Sequence, residues 1–212
     1  MYQNKKNAIE MAQYMKTTMP FYGVRATERR KIVKTLIEKY PLKTQEEYLQ
    51  TITVLWDLPH REEKYIAIDI ARAYPWYVNS NTLFLFEKMI RKGAWWDLVD
   101  DIAVHLVGAV ISKHPNTMPT ILDSWIQDQN MWIRRTAIIC QNKLRGATDQ
   151  KRLFDFCLKR AHEKDFFIRK AIGWALREYA KTSPDVVKLF VQQHKDSLSP
   201  LSCQQATKWL NK

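Results

Sequence analysis

The chain has 212 residues, 46% of them hydrophobic and 26% charged, a globular balance that excludes an intrinsically disordered protein. Only 5 glycines speak against a turn-rich all-β fold or a glycine-rich nucleotide loop. The 34 basic residues outnumber 22 acidic ones, and the resulting net charge of +12 points to a polyanionic partner, most often nucleic acid.

In chain order, the first predicted helix carries Tyr14, with no apolar signal-peptide core around it. Ile32, Val33, Leu36 and Ile37 then form one helical stripe. Trp56-Asp57-Leu58-Pro59 reads as a helix end and restart, which makes Trp56 a packing residue. Ile66, Ile70 and Tyr74 form the next stripe, followed by Val99, Ile102, Ala103, Leu106, Val107 and Val110. The apolar run around the last of these, 102–111, is too short to span a bilayer. Ser183-Pro184-Asp185 and Ser199-Pro200-Leu201 are helix starts, with proline at the first helical position. The eight prolines fall between the periodic segments, and no Asn-Gly or Asp-Gly hairpin dipeptide occurs. The expectation is an all-α chain of roughly a dozen helices with short connections, folded as a single domain over residues 1–212. Cys140, Cys157 and Cys203 are scattered without CxxC spacing and read as free thiols in a reducing cytosol. A cytoplasmic protein without a membrane segment is therefore expected.

An internal repeat sharpens this picture. Trp132-Ile133-Arg134-Arg135 and Phe167-Ile168-Arg169-Lys170 share an aromatic, Ile, Arg, basic pattern 35 residues apart. Stepping back by the same period from Arg135 reaches Asp100, Tyr65 and Arg30. Tetratricopeptide arrays need glycine and small residues that are scarce here, and the rungs make a poor base code for pentatricopeptide repeats. A HEAT-like α-solenoid, a superhelix of paired antiparallel helices, fits better. In such a stack the rungs Arg30, Tyr65, Asp100, Arg135 and Lys170 line one basic and aromatic surface, with a carboxylate at Asp100.

Trp95-Trp96-Asp97-Leu98-Val99-Asp100 is the most unusual stretch. Trp96 and Asp100 are one helical turn apart and project together, as do Lys170 and Trp174. A carboxylate beside an indole stabilises a developing cation, the one by Coulomb attraction in a water-poor site and the other by its negative face. The bland alternative makes both tryptophans core residues and both aspartates helix-surface groups or caps, with Asp97 a cap or first-turn acid. Arg135 and Lys170 suit phosphates, although Arg135 also stands where it can pair with Asp100 across neighbouring repeats. Arg134 and Arg169, one residue off the rungs, are expected to be solvated. Trp174 is by default a core aromatic, but Gly173 beside it can permit close backbone approach, which favours a binding wall. The histidines show no paired spacing for a metal, and no nucleotide or nucleophile motif occurs, so no cofactor is expected.

The stretches Met11-Ala12-Gln13-Tyr14-Met15-Lys16, Leu55-Trp56-Asp57-Leu58-Pro59, Trp95 to Asp100, Trp132 to Arg135 and Ala171-Ile172-Gly173-Trp174-Ala175-Leu176-Arg177-Glu178-Tyr179-Ala180-Lys181 resemble the AlkD family of bacterial HEAT-like-repeat alkylpurine DNA glycosylases. The resemblance runs from about Ala8 to the C-terminus. It implies a C-shaped superhelix with duplex DNA on its concave face, and hydrolysis of the N-glycosidic bond of cationic N3- and N7-alkylpurines. Residue by residue it implies Asp100 as catalytic carboxylate, Trp96 and Trp174 as aromatic walls, Arg135 on the DNA backbone beside the lesion, and Tyr14 near the duplex. It further implies a monofunctional, monomeric enzyme without a base-flipping pocket, associated with the nucleoid. Two departures stand out. The family usually begins with an extra helix for which this chain starts too close to Tyr14, and Gly23-Val24-Arg25-Ala26-Thr27 lacks a Gln-Thr-Pro polar run. A paralogue with weak DNA binding and little excision, or a HEAT scaffold for an acidic protein, are the competing expectations.

Overall fold

A computed structural model describes residues 3–115 and 118–209, and the described residues are all helix and connection, with no strand. They divide into two compact units, Met1–Leu85 and Phe86–Lys212.

The first unit holds α1 (Lys5–Met15), α2 (Ala26–Lys39), α3 (Gln45–Asp57) and α4 (Arg61–Ala73). Asn4 and Thr44 open α1 and α3 as side-chain caps, accepting from the backbone N–H of Asn7 and Glu47. Both α2 and α3 pack on α4, burying Val33, Tyr48, Ile52, Trp56, Ala67, Ile68 and Ala71. Trp56 is thus the packing residue expected from its sequence context. The segment between α1 and α2 is tied to α4 by Glu62, only 1% exposed, whose carboxylate accepts from three successive backbone N–H groups. These belong to Tyr22 (3.1 Å), Gly23 (2.8 Å) and Val24 (3.0 Å). Such charge-assisted bonds are about twice as strong as neutral ones, which accounts for a buried carboxylate here. Gly23 has φ +83°, and a Cβ there would lie 2.0 Å from the Asn4 carbonyl oxygen, so only glycine fits.

The second unit contains α6 (Trp96–Asp101), a π-helical turn (Ile102–Val107) and α7 (Gly108–Lys113) as one continuous rod, preceded by α5 (Leu83–Gly93), whose first turn crosses the unit boundary. The stripe Val99, Ile102, Ala103, Leu106, Val107 and Val110 is buried along this rod, as its spacing predicts. The α-helical period does not foretell the π turn, which widens the helix just past Asp100. There follow α8 (Met118–Trp125), α9 (Met131–Ile139), α10 (Gln150–Lys159), α11 (Phe166–Ala180), α12 (Pro184–Gln193) and α13 (Pro200–Thr207). Pro184 and Pro200 sit in the first turns of α12 and α13 as expected. Consecutive helices pack as hairpins (α8 on α9, α10 on α11, α12 on α13), and α9 also packs on α6 and on α11. The 35-residue period therefore corresponds to neighbouring helices, with Asp100, Arg135 and Lys170 on α6, α9 and α11 in turn.

Candidate functional site

The helix carrying Asp100 begins abruptly. Ala94 adopts a left-handed φ of 35°, and Trp95 is extended at the cap position. Trp95 then packs on Trp132 (ring centroids 6.0 Å apart) and Phe167 (5.5 Å), which meet each other at 4.9 Å. Of the tryptophan pair, Trp95 thus takes the packing role and Trp96 stays half-buried at the first position of α6. Asp97 is the first-turn acid, where it complements the helix dipole as expected. Asp100 lies one turn beyond Trp96, on the same face.

Asp100 and Arg135 form a bidentate ion pair, Nε to Oδ1 and Nη2 to Oδ2, both at 2.7 Å. The Arg135 side chain is 6% exposed and that of Asp100 17%. Nη1 of Arg135 donates to the Phe167 carbonyl oxygen, and the guanidinium lies 6.0 Å from the Phe167 ring centroid. Three of the five N–H groups of the guanidinium are thereby engaged inside the protein. The pairing foreseen as an alternative for Arg135 is the one present. Burial pushes the Asp100 carboxyl above its ordinary range, against the opposing pull of Arg135; Asp97 and Asp101 add to the rise. A carboxylate offers about four lone-pair sites, and the Arg135 fork engages one on each oxygen.

Lys170 and Trp174 follow on α11. The Lys170 Nζ lies 5.6 Å from the centroid of the half-exposed Phe166 ring. Trp174 is half-buried, and its Nε1 donates to Glu178 Oε1 at 3.3 Å. Gly173 does allow a close approach, but to a helix: a Cβ there would meet Gln205 Cβ at 2.5 Å and the Ser202 carbonyl at 2.9 Å. Its small size serves the packing of α13 on α11. Arg134 departs from the expected solvated state. It pairs with Glu163 at 2.8 Å and donates to the carbonyls of Asp128 and Gln129.

The remaining candidates belong to the other unit. Tyr14 on α1 is 73% exposed, and Arg30 on α2 is exposed. The ladder neighbour of Tyr65 is Arg29, not Arg30: its guanidinium lies 4.6 Å from the Tyr65 ring centroid, and its Nε meets Asp69 at 2.9 Å. The back-extrapolated period is one residue out at α2. Glu178 and the Phe167 carbonyl are the groups that sequence reasoning missed. Glu178 was open to the i, i+4 rule applied to Trp174, whereas a carbonyl leaves no mark in a sequence.

A family model for DNA alkylation repair enzymes matches residues 1–210. A predicted DNA alkylation repair enzyme from Enterococcus faecalis superposes with a TM-score of 0.91 at 32% identity, covering 100% of this chain and 98% of that one. AlkD2 from Streptococcus mutans superposes with a TM-score of 0.66 at 16% identity, covering 97% of this chain and 98% of its own, a likeness of fold. No match was found among curated proteins.

Proposed function

The chain belongs to the DNA alkylation repair enzyme family, and on that premise we propose that it is a glycosylase hydrolysing the N-glycosidic bond of cationic N3- and N7-alkylpurines in duplex DNA. The observation that carries this reading is the Asp100 carboxylate, drawn out of water, held by the Arg135 fork at 2.7 Å, and set one turn from Trp96.

A cationic purine is already a good leaving group, so no general acid is required. As the C1′–N bond breaks, its electron pair goes to the base, which departs neutral, and positive charge passes to the sugar. Asp100 stabilises that charge through the lone pairs that Arg135 leaves open, in a site where Coulomb attraction is weakly screened. The ring faces of Trp96 and Trp174 flank the sugar and add the attraction of an indole for a cation. Water then adds at C1′ and gives up one proton to solvent, leaving an abasic sugar. Arg135 orients Asp100, and its two remaining N–H groups suit the phosphate beside the lesion. Lys170, Arg30 and Tyr14 are exposed or half-exposed donors suited to the backbone of the duplex. The +12 net charge favours such a partner and makes binding salt-dependent.

The test is single-turnover release of 7-methylguanine from a duplex oligonucleotide, with Asp100→Asn alongside. Release that collapses in Asp100→Asn supports the reading. Release at the spontaneous rate by the unaltered protein overturns it, and equal release by both proteins overturns the assignment of Asp100.

A further inference from the structure

The indole of Trp174 is tethered. Its only donor, Nε1–H, goes to Oε1 of Glu178, one turn along α11, at 3.3 Å. The other carboxylate oxygen of Glu178 accepts from Lys181 Nζ at 2.6 Å, and Arg177 Nε stands 4.0 Å from Oε1. The Glu178 side chain is 20% exposed. Both of its oxygens are thus partnered, and Oε1 is the acceptor that restrains the indole. No step of the mechanism above uses this carboxylate.

An i, i+4 hydrogen bond of this kind has an ordinary use, which is to select one rotamer. A charged acceptor does more than a neutral one. Hydrogen bonds to an ionised group are stronger, and a carboxylate at the N–H edge polarises the ring, pushing electron density toward its faces. The attraction of an indole for a cation is electrostatic and grows with the negative charge on that face. The aromatic wall and the carboxylate behind it then act as one unit toward a cation.

We infer that Glu178 is a positioning residue for Trp174, locking the indole and raising the affinity of its face for the cationic sugar. The inference rests on the glycosylase reading, because that reading supplies the cation. Asp100 acts on the sugar directly, and Glu178 acts through the ring.

Two abasic-site mimics in otherwise identical duplexes make the test. One is a pyrrolidine, positively charged at neutral pH, and the other a neutral tetrahydrofuran. The readout is the ratio of their dissociation constants for the unaltered protein, Glu178→Gln, Trp174→Phe and the double variant. Glutamine keeps an oxygen to hold the indole and removes the charge. The unaltered protein is expected to prefer the cationic duplex, and Glu178→Gln to lose about tenfold of that preference while binding the neutral duplex within about twofold. In the Trp174→Phe background, where no N–H exists, Glu178→Gln is expected to change the ratio less than about twofold.

Equal weakening of both duplexes by Glu178→Gln makes the residue purely structural and overturns the inference. A loss of the same size in the phenylalanine background assigns the effect to direct charge and overturns the route through the indole. Asp100-dependent release of 7-methylguanine together with a silent Glu178→Gln removes this inference and leaves the glycosylase standing. A protein that shows neither release nor preference for the cationic mimic removes both.

Discussion

Replacing Arg135 with methionine isolates what the ion pair does for the fold. The substitution keeps an apolar stem of similar reach and removes three donors, two to Asp100 and one to the Phe167 carbonyl. Breaking a buried pair from one side costs about 3–5 kcal/mol, because the partner charge is left uncompensated. Asp100 keeps 17% of its side-chain surface, so water offsets part of this and about 3 kcal/mol is expected. For a chain of this length that is a fall in melting temperature of about 6–12 °C. The deficit must also depend on pH. The Asp100 carboxyl already titrates above its ordinary value in the folded protein, with burial as the leading cause. The folded state therefore holds its proton more tightly than the unfolded chain does. The penalty of the ionised form is fully present above the folded pKa and is relieved as the pH falls through it. Losing Arg135 removes the downward influences and lifts that pKa further. Calorimetry and urea unfolding at pH 7.5 and pH 5 should thus show a smaller deficit at the lower pH. The double variant Asp100→Leu/Arg135→Met should recover to within about 1 kcal/mol of the original, since a buried pair exchanged for apolar residues is often neutral. A deficit that is the same at both pH values, or a double variant no more stable than Arg135→Met, would refute this account.

On the proposed mechanism, the excision rate should fall on the acid side with a midpoint above the ordinary aspartate value of 3.8, because burial raises the Asp100 carboxyl and that mechanism needs it ionised. A single-turnover pH profile, corrected for spontaneous depurination, reads this directly, and a midpoint at or below 3.8 contradicts it. Gly173→Ala should destabilise the second unit by about 1–3 kcal/mol, as expected for overpacking. The new Cβ would lie 2.5 Å from Gln205 Cβ and 2.9 Å from the Ser202 carbonyl. Faster hydrogen exchange in α13 would accompany the loss, and unchanged exchange there would show that the helix does not yield at this contact.

The 35-residue spacing found in the sequence is the spacing of the Asp100–Arg135 ion pair, because α6, α9 and α11 are packing neighbours in one unit and a register repeated between packed helices is maintained. Back-extrapolation to α2 slipped by one residue: Arg29, 36 residues before Tyr65, is the one that meets its ring. Connections of unequal length shift the register, and nothing in a residue pattern reports how a loop closes. Arg134 departs from the solvated state its spacing implies for a different reason. Its guanidinium reaches Glu163 in the connection before α11 and two carbonyls before α9, partners set by chain path and not by period. Gly173 announced a close approach without saying to what. The π turn after Asp100 was hidden because its apolar stripe is equally compatible with an α-helix over so short a run.

The rungs sort into groups that face one another and groups left facing outward. Asp100, Arg135 and the Phe167 carbonyl hold one another in place, so the charge they carry is oriented before any ligand arrives. Trp96, Lys170 and Trp174 keep open surface. A pair that is neutral overall would be a poor magnet for a distant cation. At contact range the balance changes, because Coulomb energy falls with distance and a cation set against the open lone pairs of Asp100 would lie nearer the carboxylate than the guanidinium paired on its other side. Such a site ignores cations in bulk solvent and responds to one delivered against its face. On the proposed glycosylase reading, a duplex held by basic side chains would deliver its sugar in that way. On the same reading, long-range attraction falls to the net charge of +12, short-range discrimination to Asp100 and the two indoles, and Arg135 would serve both by holding the carboxylate while keeping two N–H groups suited to a phosphate.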